Sequence, residues 1–256
     1  MIKRYPLISF FVLAYGLSWG SYYLLSGPFL FPLGAFLAAL IMAGVTGGRG
    51  GLKDLLKRCV RWRVGLRWYA AALCVPVAIY LSTMALGLLL GVPRPRAEQF
   101  GHWYSLFLFF PVALIDAPLW EEPAWRGYAL PRFSDERSPL ANTLLLGLLL
   151  AGWHVPIALS GGKAIAAPYL IATVASAVVT NWIYYNARES ALFAILYHTA
   201  ANALSLYLFS MFSGPHLLKL YWLLAAVNWF VALMVMLLTG RTLQGRTHAK
   251  TAPVRS

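Results

Sequence analysis

Two adjacent carboxylates and an arginine stand in "PLWEEPAWRGYAL" (118–130), at the end of an otherwise apolar stretch. The chain has only eight acids, and the three inside an apolar run, Asp116, Glu121 and Glu122, all fall in this one. An ionised side chain at the centre of a bilayer costs roughly 2.5–3.5 kcal/mol on insertion scales, so acids placed there need a partner or a chemical task. On a helix advancing about 100° per residue, Glu122 and Arg126 lie about 40° apart and Glu121 and Arg126 about 140° apart. Glu122 is therefore expected to pair with Arg126 as support. Glu121 shares its face with Trp125, has no cation nearby in sequence, and suits a general base. The bland alternative is that both glutamates share the one arginine in a packing network. Pro123 removes a backbone hydrogen bond to residue 119 and is expected to kink the helix beside the pair.

Two other apolar runs carry polar groups. His154, in "LLLAGWHVPIAL", is the one ionisable side chain of its run, and His198 and Asn202, in "LYHTAANAL", share a helix face at i, i+4. Alone, a buried histidine is more often a hydrogen-bonded packing residue than a catalyst, and a lone HxxxN is a weak pattern. Together with EExxxR they form a set that can hydrolyse a peptide bond. A carboxylate and one imidazole hold a water and take its proton as it attacks the carbonyl. A second imidazole and a carboxamide donate hydrogen bonds to the tetrahedral oxyanion, a type of contact worth about 2.7–4 kcal/mol. The same side chains, Glu121, His154 and His198, could instead ligate a divalent zinc that acidifies the water. His102, His216 and His248 lie at loops or in the tail and receive no role.

Other hydrolytic layouts fit poorly. There is no HExxH, no serine reads GxSxG, and no second apolar run supplies an aspartate to partner Asp116.

These residues are far apart in sequence, so their helices must bring them together. The chain has 256 residues, 60% of them hydrophobic and 11% charged, with mean hydropathy +0.67. That composition indicates an all-α polytopic membrane protein rather than soluble domains. Spanning the hydrocarbon takes about 20 apolar residues, which gives eight expected spans: 5–25, 28–47, 68–91, 103–126, 140–159, 168–186, 191–212 and 217–238. They form one transmembrane domain over 1–240 (motif core 103–212) around an intramembrane cavity, followed by a basic, polar, disordered tail over 241–256. The first run is too long for a signal-peptide core and no small-residue cleavage site follows it, so it reads as a retained helix.

The net charge of +13 falls between the apolar runs, which makes the anionic leaflet of the bilayer the expected partner and nucleic acid not one. With the N-terminus cytoplasmic, seventeen Lys and Arg fall on inner segments and four on outer ones, so both termini are expected inside. The loop 48–68 puts Leu52, Leu55, Leu56, Cys59 and Val60 on one helical face among basic residues, as in a helix lying on the inner membrane surface. Gly16 and Gly20 form a GxxxG that could allow close helix packing. Cys59 and Cys74 form no CxxC, and Cys74 reads as a small packing residue. If the helices are straight, Glu121, His154 and His198 lie about 14, 22 and 10 Å from their inner ends. Their depths then differ by about 8–12 Å.

These residues resemble the CPBP intramembrane metalloprotease family, also called the Abi or type II CAAX prenyl protease family. Its motifs EExxxR, FxxxH and HxxxN each lie on a different helix. "EEPAWR" (121–126) matches the first, "HTAAN" (198–202) the third, and "LAGWH" (150–154) the second with Leu150 in place of Phe. The resemblance implies an endopeptidase in which Glu121 and His154 activate water, His198 and Asn202 form the oxyanion hole, and Glu122 and Arg126 support them. It also implies membrane-anchored protein or peptide substrates, of the CAAX or bacteriocin-processing kind, in an integral membrane location. Two cytoplasmic termini and no disulfide frame suit a bacterial inner membrane. A non-catalytic immunity or scaffold protein of the same fold would use the same residues as buried glue, and a small transporter would use them as an ion path.

Overall fold

The computed structural model describes residues 2–24, 31–100 and 102–244. Among them the regular structure is all helical: α1 (Pro6–Leu24), α2 (Phe31–Cys59), α3 (Leu66–Leu89), the single turn α4 (Ala97–Phe100), α5 (Ser105–Asp116), α6 (Pro118–Glu122), α7 (Pro139–Trp153), α8 (Val155–Ser160), α9 (Lys163–Asn186), α10 (Ala191–Phe209) and α11 (Gly214–Thr239). A π-helical segment (Pro123–Ala129) and a short 3-10 turn (Leu130–Arg132) follow α6. Six helices, α1, α2, α3, α9, α10 and the α11 run, are long and apolar enough to cross a membrane. Their outward residues, such as Ile8, Val12, Leu81 and Leu237, are apolar and exposed, as a lipid-facing surface requires. The protein is a polytopic membrane protein.

Six of the eight expected spans are single helices of spanning length among the described residues; the fourth and fifth are present as shorter apolar helices, broken where the chemistry lies. Ala117, at φ −140°, interrupts the fourth between α5 and α6. Pro118 disfavours helical geometry in the residue before it and itself opens the next helix. Pro123 then starts the π-helical turn. The fifth is broken at His154, whose φ −78° and ψ −4° place it between α7 and α8. Hydropathy averaged over a window does not register such breaks.

Three buried clusters hold the helices together. Phe10, Phe31, Trp125, Tyr128 and Trp153 join α1, α2, the π segment and α7. Val178, Ile183, Phe193, Tyr197 and Ala232 join α9, α10 and α11. Ile79, Tyr80, Leu204, Leu220 and Leu224 join α3, α10 and α11.

Several local expectations are corrected. A Cβ on Gly16 or Gly20 would meet nothing within 4 Å, so GxxxG is not the close contact; a Cβ on Gly34 would lie 2.5 Å from the Ser18 backbone nitrogen, and that is where α1 and α2 approach. Cys74 is exposed rather than packed. The basic helix of loop 48–68 is the end of α2 beyond a kink at Gly48 (φ 54°, ψ −143°). Leu55 is buried, and Leu52 and Cys59 pack beside it on the first cluster, so this face meets the protein rather than the bilayer; Leu56 and Val60 remain exposed. The tail is placed as far as Gln244, with Leu243 fully buried and its carbonyl accepting from Asn186 Nδ2 at 2.7 Å. The rest of the tail, 245–256 with His248, lies outside the described residues.

Candidate functional site

A cavity of about 160 Å³ lies among α3, α6, the π segment, α7, α9, α10 and α11, and Glu121, Glu122, Arg126, His154, His198 and Asn202 all line it. It has room for several waters. The depth mismatch expected from straight helices therefore does not arise. The helix breaks at Ala117, Pro123 and His154 make distances counted from helix ends inapplicable.

The two glutamates are used differently. Glu122 is 2% exposed and accepts from Arg126 Nη1 through both oxygens, at 3.1 and 3.0 Å. Its Oε1 also accepts from His198 Nδ1 at 2.9 Å. Arg126 is buried at 3% exposure, and its Nε donates to Asn181 Oδ1 at 2.8 Å. Glu121 is 3% exposed, and its carboxylate accepts no hydrogen bond from a described residue. Its ion-pair partner among the described residues is His154, with Oε2 3.8 Å from Nε2.

Hydrogen-bond chemistry fixes both imidazoles. His154 Nδ1 lies 2.8 Å from the Leu150 carbonyl, which can only accept, so Nδ1 carries the proton. In the neutral ring Nε2 is then an acceptor turned towards Glu121. His154 has dihedrals near the bridge region, where many active-site residues sit. Leu150, at the position where the resembled motif has Phe, thus contributes its carbonyl as well as an apolar side chain. His198 Nδ1 faces a carboxylate already bound to a guanidinium, so it too carries a proton. Asn202 lies one turn beyond His198 on α10, half-buried on the cavity wall.

The π-helical turn is tightly covered. A Cβ at Gly127 would come 2.6 Å from Leu55 Cδ1 of α2. Trp125 is 1% exposed and packs edge-on against Trp153, with ring centroids 5.2 Å apart. Segments of π-helix occur frequently at functional sites.

Among the described residues, no three His, Cys, Asp or Glu side chains are grouped so as to hold a metal ion. His198 presents its Nδ1 to Glu122, and only Glu121 and His154 face one another directly. As placed, the donors do not fit the zinc site that Glu121, His154 and His198 could have offered, and no step below passes through a metal. Asp116 is exposed at the break before α6 and takes no part in the site. His102 bonds to Tyr104, and His216 is exposed.

The sequence reading missed Asn181 and Thr143, which continue the Glu122–Arg126 pair into the protein. A signal existed: an asparagine inside an apolar run has to find partners there.

A family model described as "Type II CAAX prenyl endopeptidase Rce1-like" matches residues 103–204, a stretch that contains all three motifs. The curated "CAAX prenyl protease 2" of Methanococcus maripaludis is 21% identical over 196 residues, covering 72% of each chain. The resemblance seen in the motifs is thus joined by a matching family model and by a relative aligned over 72% of its length. This chain is similar to a CAAX prenyl protease.

Proposed function

We propose that this chain is an intramembrane endopeptidase that hydrolyses membrane-anchored substrates of the CAAX type, with Glu121 as general base. One observation carries the reading: Glu121 Oε2 and His154 Nε2 stand 3.8 Å apart. That is too far for a direct hydrogen bond. Both are acceptors when Glu121 is ionised and His154 neutral, and a water between them can give one hydrogen to each. Glu122 does not compete for it, because Arg126 and His198 occupy its oxygens.

The reaction then runs on this chain's own residues. The water oxygen attacks the scissile carbonyl while Glu121 takes its proton. The carbonyl oxygen becomes an oxyanion, accepting from Asn202 Nδ2–H and His198 Nε2–H. Since His198 Nδ1–H is held by Glu122, an Nε2–H is present only in the imidazolium form. As the C–N bond breaks, Glu121 returns its proton to the leaving amine. Helices long and apolar enough to span a bilayer surround the cavity, so the substrate is one already held at the membrane. The positive-inside count supports a reading in which both termini, and the opening of the site, face the cytoplasm.

The test is cleavage of a prenylated CAAX peptide, and of a membrane-tethered reporter, by the purified protein in proteoliposomes. Release of a C-terminal fragment by the wild type and none by Glu121→Ala is the expected result. Full cleavage by that variant would remove the base from the mechanism.

A further inference from the structure

We infer that Asn181 of α9 is a positioning residue for this reaction, acting through Arg126 and Glu122 on His198. The inference rests on the endopeptidase reading.

Five side chains on five segments form a relay, buried in all but its last member, His198. Thr143 of α7 and Asn181 of α9 are both fully buried. Asn181 Nδ2 donates to Thr143 Oγ1 at 3.0 Å, and Asn181 Oδ1 accepts from Arg126 Nε at 2.8 Å. Arg126 Nη1 donates to both Glu122 oxygens, and Glu122 Oε1 accepts from His198 Nδ1. The direction of the relay is set by chemistry. Arginine offers only donors, so the amide has to turn its oxygen towards Arg126. Its NH₂ group then needs an acceptor, and Thr143 supplies one.

This arrangement controls the guanidinium. A planar fork held only by Nη1 can rotate about its stem, whereas a second bond at Nε fixes its plane. The fixed plane lets Nη1 reach both Glu122 oxygens at once, and the Glu122 carboxylate in turn sets the direction of the His198 ring. Thr143 adds a connection to the other half of the site. It stands on α7 seven residues before Leu150, whose carbonyl holds His154 Nδ1. At 3.6 residues per turn, Thr143 and Leu150 share a face. Asn181 therefore lies where the support of the proposed oxyanion donor meets the helix that ends at the water-binding histidine. It touches no reacting atom.

The experiment measures kcat and KM for the CAAX peptide with Asn181→Ala, Asn181→Asp and Thr143→Val, beside isotope-edited NMR of the histidine rings in detergent. Partners behind metal-ligating side chains commonly change activity by about 10–100-fold, and an effect of the same order is expected behind a hydrogen-bonding imidazole. Asn181→Ala is expected to lower kcat by that factor, with KM within about twofold. Asn181→Asp keeps an acceptor for Arg126 Nε and is expected to recover most of the loss. Thr143→Val is expected to act in the same direction as Asn181→Ala, more weakly, and it stands in for that variant if Asn181→Ala does not fold. The NMR arm needs no substrate: the His198 ring signal, identified by its loss in His198→Ala, should move in Asn181→Ala and return in Asn181→Asp. If the wild type cleaves nothing, the endopeptidase reading fails while the NMR arm still decides the relay. A folded Asn181→Ala protein with wild-type kcat or an unmoved His198 signal overturns the inference, as does failure of Asn181→Asp to recover either.

Discussion

Glu121 Oε2 faces His154 Nε2 across 3.8 Å, while the neighbouring Glu122 is bound on both oxygens. Adjacent residues of one type thus have opposite environments. The helix turn that aims Glu122 at Arg126 aims Glu121 elsewhere, into the cavity. With Glu121 ionised and His154 neutral, a water between them meets two hydrogen-bond acceptors and serves both by donating twice.

Glu121→Gln keeps the shape of the side chain and removes its basicity. A general base contributes typically about 10²–10⁴-fold, so cleavage by this variant should fall by that order. Its melting temperature in detergent should stay within a few degrees of wild type. The same variant separates catalysis from a binding-only role, since a scaffold that uses Glu121 as buried glue would keep its function with Gln in place. Reporter cleavage and a melting curve on the same preparation decide it.

Glu122→Ala should fail differently. It leaves Arg126 without its carboxylate and His198 Nδ1 without an acceptor, inside a site where Arg126 is 3% exposed. Removing one partner of a buried pair typically costs about 3–5 kcal/mol. The expected result is a large loss of folded protein before any effect on rate can be read, seen as low yield and a strongly lowered melting transition. A variant that is stable but slow would show that Glu122 is not the anchor described above.

The contrast between these glutamates was legible in the sequence, because i, i+4 spacing pairs Glu122 with Arg126 whatever lies around them. The three motifs were legible as well, since polar groups in apolar runs are costly enough to stand out. Hydropathy could not show that the two runs bearing Glu121 and His154 are broken helices, although the prolines at 118, 123 and 156 mark the places. Nor could periodicity say what an apolar face meets. Leu52, Leu55 and Cys59 do share a face, but it packs on the protein. Asn181 stayed hidden because its partner Arg126 is 55 residues away, and spacing carries no information at that range.

Cleavage should have a bell-shaped pH profile, and one substitution should remove one side of it. The reaction needs a proton acceptor for the attacking water, so the rate falls as pH drops. It also needs Nε2–H on His198 while Nδ1–H is given to Glu122, so the rate falls as pH rises and the ring loses its second proton. His198→Gln supplies an N–H donor that does not titrate. Its rate should be lower overall, with the alkaline fall gone and the acid fall kept. An alkaline fall that persists in the variant would assign that limb to another group.

Chelation separates the proposed water activation from a zinc mechanism. The facing pair Glu121 and His154 supplies two donors, and no group of three is found among the described residues. Protein dialysed against a strong chelator should keep its kcat for the CAAX peptide. A loss on dialysis that stoichiometric zinc restores would mean that the side chains rearrange around a metal, and Glu121 would then become a ligand.

The last prediction concerns the scaffold. At Gly34, a Cβ would meet the Ser18 backbone nitrogen and side-chain oxygen at 2.5 Å, closer than real atoms approach, whereas at Gly16 and Gly20 it would meet nothing within 4 Å. Backbone cannot yield as a flexible side chain can, so Gly34→Ala has to push α1 away from α2. Overpacking of this kind costs typically about 1–3 kcal/mol. Phe10 of α1 packs edge-on against Trp125, with ring centroids 5.7 Å apart, and Trp125 lines the cavity. The shift should therefore lower activity along with stability. Gly16→Ala and Gly20→Ala should melt at or above the wild-type temperature and cleave normally, since alanine is the better helix former. If Gly16→Ala or Gly20→Ala proves the more damaging substitution, those two glycines contact something that α2 does not supply, and the packing of α1 described here would have to be revised.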